Sequence, residues 1–127
     1  MNVKKKKNMK IAYISGPYRA PTMAGVRSNI NRAMDIAREV WTWPGVDFVL
    51  CPHGNSAFLD GENTDKKFID GDLKFIYECM QPGNVMVMVP GWRHSYGASG
   101  EYLAAVECGI KILEWHEQSR SAEPVAQ

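Results

Sequence analysis

The sequence predicts an α/β domain in which a parallel sheet of four or five strands carries helices on both faces. Short apolar runs alternate with segments of helical periodicity in the order β-α-β-α-β-α-β, the pattern of a wound parallel sheet. The run Val85 to Val89 is apolar without alternation, as expected of a strand buried on both sides. Gly and Pro punctuate the segment ends at Gly16-Pro17, Pro44-Gly45, Pro52 and Pro82-Gly83.

Residues 10 to 15 form the first strand, which stops at Gly16-Pro17. After a short loop, Val26, Ile30, Ala33, Met34, Ala37, Val40 and Trp41 recur at the spacing of an amphipathic helix. Trp41 and Trp43 are expected to pack at its end. Phe48 to Cys51 is a short second strand, followed by a loop rich in Gly, Asn and Asp to about residue 64. Thr64 or Asp65 caps the next helix, whose apolar side is Phe68, Ile69, Leu73, Ile76, Tyr77 and Met80. Val85 to Val89 is the third strand. A helix from about Ala98 to Cys108 stops at Gly109, and Ile110 to Leu113 is the last strand. The domain is therefore expected over residues 10–117, between a basic disordered tail (1–9) and a flexible one without pattern (118–127).

At 127 residues the chain is one domain. Fifteen Lys and Arg against fourteen Asp and Glu give no bulk charge that would draw it to nucleic acid or a membrane. Lys4 to Lys7 are either a polyanion-binding arm or, more often for such a run, a solvated tail. No apolar run is long enough for a membrane span or signal peptide, so the expected compartment is the cytoplasm. Cys51, Cys79 and Cys108 lack metal-ligand spacing and read as small buried hydrophobes, with neither disulfide nor zinc. His53, His94 and His116 form no metal-site spacing, and no metal is expected.

In a wound parallel sheet, ligands bind at the carboxyl ends of the strands. Gly16 to Arg19, Pro52 to Asn55 and Pro90 to Gly100 all fall there. Gly16, Pro17, Gly97 and Ala98 keep the backbone accessible to an anion, and Arg19 offers a forked donor for phosphate. A Gly/Ser turn that only joins strand to helix explains the same spacing. Neither G-x-x-x-x-G-K-[ST] nor G-x-G-x-x-G is present, which speaks against ATP hydrolysis and dinucleotide binding. Glu101, in the first turn of its helix, is either a cap or a carboxylate whose pKa the helix dipole lowers, and so a usable nucleophile. Asp72 is a second acid that reaches the crevice or a solvated helix residue. Tyr13 is a core aromatic or a phenol orienting a carboxylate, and His53 sits in a crevice loop.

Tyr13-Ile14-Ser15-Gly16-Pro17, Asp72-Leu73, Pro90-Gly91-Trp92 and Ser95-Tyr96-Gly97-Ala98-x-x-Glu101 resemble the nucleoside 2-deoxyribosyltransferase-like superfamily, in particular a small phage and bacterial branch. The similarity spans about residues 10 to 113. It implies a flavodoxin-like, Rossmann-like three-layer sandwich, often a homodimer, acting on a small nucleotide without a cofactor. It also implies that Glu101 attacks C1′ of a 2-deoxyribosyl group, that Asp72 positions or protonates the leaving base, and that Tyr13 holds the nucleophile. Ser95 stands where the nucleoside transferases carry Asp. It resembles the phosphate-contacting serine of the deoxynucleoside 5′-monophosphate N-glycosidases, and a neutral group there spares a phosphate from repulsion. The chain departs from the pattern at Cys79 to Asn84, which lacks the acidic residue relatives carry, and in the loop from His53 to Asn63. The expected function is an N-glycoside hydrolase or transferase on 2′-deoxynucleoside 5′-monophosphates; the alternative is a non-catalytic nucleotide or nucleotide-sugar binding module.

Overall fold

Two helical layers enclose a five-stranded sheet, and the parity of residues along the strands decides which layer each side chain meets. The computed structural model describes residues 8–57, 59 and 65–125; Lys4 to Lys7 and positions 58 and 60 to 64 lie outside them. The elements are β1 (Ile11–Ser15), α1 (Met23–Trp41), β2 (Phe48–Leu50), α2 (Pro52–Ser56), α3 (Asp65–Cys79), β3 (Val85–Met88), a 3-10 turn (Trp92–His94), α4 (Tyr96–Glu107), β4 (Lys111–His116) and β5 (Ser121–Pro124). The sheet order is β2-β1-β3-β4-β5, parallel except for the β4/β5 pair.

Successive strand residues point to opposite faces. Ala12 and Ile14 of β1, with Val87 and Val89, meet Ala33, Ile36, Ala37 and Val40 of α1. Tyr13, Met86 and Met88 meet Ile76 and Met80 from the α3 side and Ala104 and Ala105 of α4. The two clusters leave no water-facing side on the central strands, which explains the unbroken apolar run of β3.

Several boundaries differ from the sequence expectation. Within α1, Ile36 is buried while Met34 and Trp41 are exposed, because the stripe drifts along the 19-residue helix. Trp41 packs edge-on to Phe48, and Trp43 lies against the α1-side core. The last helix begins at Tyr96 rather than Ala98: Ser95 is its N-cap, accepting from the Ala98 backbone N–H at 3.2 Å. Cys79 is exposed and Cys51 and Cys108 are half-buried, so none is the core hydrophobe expected. The segment expected as a patternless tail supplies β5, which pairs antiparallel with β4, Leu113 facing Pro124 and His116 facing Ser121. The fifth strand is thus present, but antiparallel rather than part of an all-parallel sheet.

The strand order reverses direction at β1 and β3: the chain goes from β1 outward to β2, then crosses to β3 on the other side. Such a switch point opens a crevice at the carboxyl ends of the two central strands. Their close approach is built in. Val89 N–H donates to Ser15 O at 2.8 Å, and a Cβ on Gly16 would lie 2.4 Å from the Val89 Cβ.

Candidate functional site

Above that switch point lies a cavity of about 610 Å³, within the range of small-ligand sites. Its walls come from the loop after β1, from α1, α2 and α3, and from α4 with the turn that leads into it. Every residue singled out in the sequence lines it, Glu101, Asp72, Gly16, Pro17, Arg19, His53, Ser95, Gly97 and Ala98, except Tyr13, which reaches it through Glu101.

Glu101 is 8 % exposed, on the inward face of α4. Starting the helix at Tyr96 puts it in the second turn, not the first, so the dipole argument for a lowered pKa does not apply. Burial instead pushes its carboxyl up to about 8; the Tyr13 hydrogen bond opposes this, the Asp72 charge adds to it, and Ser15 opposes it again. Tyr13 Oη donates to Glu101 Oε2, and Ser15 Oγ donates to Oε1 at 2.9 Å. Both donors are alternate residues of β1 facing the α3/α4 side, so one strand presents two hydroxyls to one carboxyl. Tyr13 is itself raised well above the ordinary tyrosine range, by burial and then by the Glu101 charge. Asp72, half-buried on α3, is raised to about 6 by burial.

Arg19 forms a two-bond ion pair with Asp65, its Nε donating to Oδ2 at 3.0 Å and its Nη2 to Oδ1. Its fork therefore rests on a carboxylate of the protein. His53 is buried at 5 % exposure, not a surface loop histidine; burial lowers its pKa, Nε2 lies 2.8 Å from the Pro17 carbonyl, and Nδ1 has no partner among the described residues. His53 thus ties α2 to the β1 loop. Ser95 combines its capping role with a place on the cavity wall.

Pro90-Gly91-Trp92 shapes the turn on which the cavity wall is built, and Pro90 and Gly91 line the cavity. Gly91 has φ 92°, a left-handed conformation that favours glycine. Trp92 is buried, stacks on Tyr102 at 4.7 Å and donates from Nε1 to Glu114 Oε1 at 3.1 Å; Arg93 donates to the same oxygen. The turn carrying Ser95 is thereby anchored to β4.

A family model described as "Domain of unknown function (DUF4406)" matches residues 9–114. The chain belongs to the DUF4406 family. The match covers every element from β1 to β3, the 3-10 turn and α4, and so the whole cavity wall; β5 lies beyond it. No curated protein and no solved structure matches the chain.

Sequence reasoning missed Ser15, Asn29, Arg32, Asp65, Phe68 and Ile69. Ser15 was legible as the residue two after Tyr13, hence on the same face. Asn29 donates to the carbonyls of Tyr18 and Arg19, and Arg32 donates to the Pro90 carbonyl at 3.3 Å; the two lie three residues apart on the polar side of α1, one helical face beside the crevice loop. Phe68 and Ile69 read as core positions but line the cavity's apolar wall. Among the described residues no group of three His, Cys, Asp or Glu is arranged to hold a metal ion, and no helix is long and apolar enough to cross a membrane.

Proposed function

We propose that the protein cleaves the N-glycosidic bond of 2′-deoxynucleoside 5′-monophosphates, by hydrolysis or by transfer to another base, through a covalent glycosyl-Glu101 intermediate. The observation that carries this reading is a buried carboxyl held by one hydroxyl on each oxygen, in a cavity that a second carboxyl, Asp72, also lines. Cleavage of such a bond develops positive charge at C1′, which a carboxylate on one face stabilises and captures while an acid assists the leaving base. In the first step a Glu101 oxygen bonds to C1′ as the C1′–N bond breaks, and the electron pair leaves with the base, which takes its proton from Asp72. In the second, Asp72 accepts a proton from water as that water attacks C1′, and the bond from C1′ to Glu101 breaks. Tyr13 and Ser15 hold the carboxylate in line throughout.

The proposal extends the likeness of the Tyr13 to Pro17 and Pro90 to Glu101 segments to the 2-deoxyribosyltransferase-like superfamily. The order β2-β1-β3-β4 supports a flavodoxin-like, Rossmann-like domain, with β5 as an added antiparallel edge. The outward apolar residues Leu103 and Val106 of α4, with Tyr77 of α3 beside them, support the expected homodimer. Three free thiols support a cytoplasmic setting.

The test is release of free base. Purified protein incubated with the deoxynucleoside 5′-monophosphates, natural and modified, releases base from at least one, followed by chromatography; Glu101→Gln reduces release at least a thousandfold while its circular dichroism is unchanged, on the order expected for loss of a nucleophile. No release from any of them sinks the reading. A second reading, a non-catalytic nucleotide-binding module, is favoured by the upward shift of Glu101, which leaves the empty site protonated near neutral pH. It predicts binding without turnover, retained in Glu101→Gln.

A further inference from the structure

Two guanidinium groups face the cavity, and they differ in what they already hold. Arg19 has placed its fork on both oxygens of Asp65, the planar two-bond geometry that a phosphate ligand would take. Asp65 lines the same cavity, so ligand and carboxylate compete for one donor surface. Arg32 is placed otherwise. From α1 it donates through Nη1 to the Pro90 carbonyl at 3.3 Å, and among the described residues it pairs with no carboxylate. A carbonyl carries no net charge, so the hydrogen bond orients the guanidinium without neutralising it.

Its anchor is informative. Pro90 opens the turn that ends at Ser95, the N-cap of α4, so Arg32 is tied to the turn that leads into that helix start, and both line the cavity. The acidic groups Glu101 and Asp72 share this cavity, and an anion entering it needs a compensating cation. Of the two guanidinium groups, Arg32 is the one that no carboxylate among the described residues holds.

We infer that Arg32 holds the anionic group of the ligand, and that Asp65, by occupying Arg19, sets how strongly a phosphorylated ligand is preferred over its uncharged counterpart. This deepens the nucleotide reading and rests on it for the ligand class. The recruited set is Arg32 first, with Arg19 joining only when it leaves Asp65.

Calorimetry on the full chain tests this with inorganic phosphate, 2-deoxyribose 5-phosphate and 2-deoxyribose. These probes lack a glycosidic bond and cannot turn over. Arg32→Gln is expected to weaken 2-deoxyribose 5-phosphate binding about tenfold or more and to leave 2-deoxyribose unchanged, with Arg32→Lys recovering part of the loss. Asp65→Asn is expected to strengthen phosphate and sugar-phosphate binding several-fold, an effect that disappears when Arg19→Gln is added. Arg32 and Asp65 are exposed, so neither substitution touches the core, and thermal melts check that both variants stay folded. Sugar-phosphate affinity within twofold of the parent in Arg32→Gln overturns the inference, as does a parent that binds neither phosphate probe at millimolar concentration. A parent that binds through Arg32 but releases no base leaves the inference standing and removes the glycosidase reading.

Discussion

At the scale of single residues, the proposed chemistry meets its two carboxyls, Glu101 and Asp72, in an inverted order of acidity. The proposed first step needs Glu101 ionised and Asp72 protonated, yet burial raises Glu101 to about 8 and Asp72 only to about 6. The state with one proton on the pair therefore favours Glu101 as the protonated member, and the reactive arrangement is the minor one. The expected rate profile is a bell in kcat/KM with limbs near 6 and 8; a single rising limb would show that Asp72 is not the acid. Stability responds with a definite sign. A folded pKa raised from 4.5 to about 8 contributes stability that is fully present below 4.5 and lost as pH rises through about 8. Glu101→Gln removes that dependence, so it melts several degrees above the parent at pH 8.5, and the gap narrows toward pH 4.5; equal gaps at both pH values contradict the buried-carboxyl account. The residue itself was legible from its motif, but its pKa direction was not. That direction depends on a helix start two residues earlier and on burial under β1, which no local pattern reports.

At the scale of elements, the helices and strands were legible because the periodicities reflect real burial. Val26, Ile30, Ala33, Ala37 and Val40 are all buried, the last three against the sheet, and β3 is buried as its composition implies. Short elements were not legible. α2 has five residues and the turn at Trp92 three, too few for a period to register, and both shape the cavity. The meeting of β1 and β3 at Gly16 is the tightest constraint. Gly16→Ala would set a methyl 2.4 Å from the Val89 Cβ, against a β-branched side chain with few rotamers. It is expected to cost about 1 to 3 kcal/mol in chemical denaturation and to separate Ser15 from Glu101, lowering base release as well. A variant as stable as the parent would mean that the strands part more easily than their hydrogen bond at 2.8 Å implies.

For the whole molecule, the sequence order of strands and helices led to the sheet and to the loops that converge on the cavity, but not to β5. Ser121 to Pro124 has no apolar alternation and contains a proline, so nothing local marks it as a strand; pairing with β4 and the packing of Ala122 against the α1-side core make it one. Arg19 lines the cavity from the loop where the sequence places it, whereas its Asp65 partner lies 46 positions away and is a tertiary fact. The outer face of α4 has a whole-molecule consequence of its own. Leu103 and Val106 are more than half exposed, and Leu103→Glu is expected to turn a dimer into a monomer in analytical ultracentrifugation; a monomeric parent removes the homodimer from the proposal. Because β5 runs back against β4, Val125 ends beside Ile112, at the end of the sheet where Lys10 enters β1. Both ends of the described chain therefore emerge opposite the cavity mouth. A fluorescent reporter, an affinity handle or a tether to a solid support attached to either one leaves the entrance unobstructed.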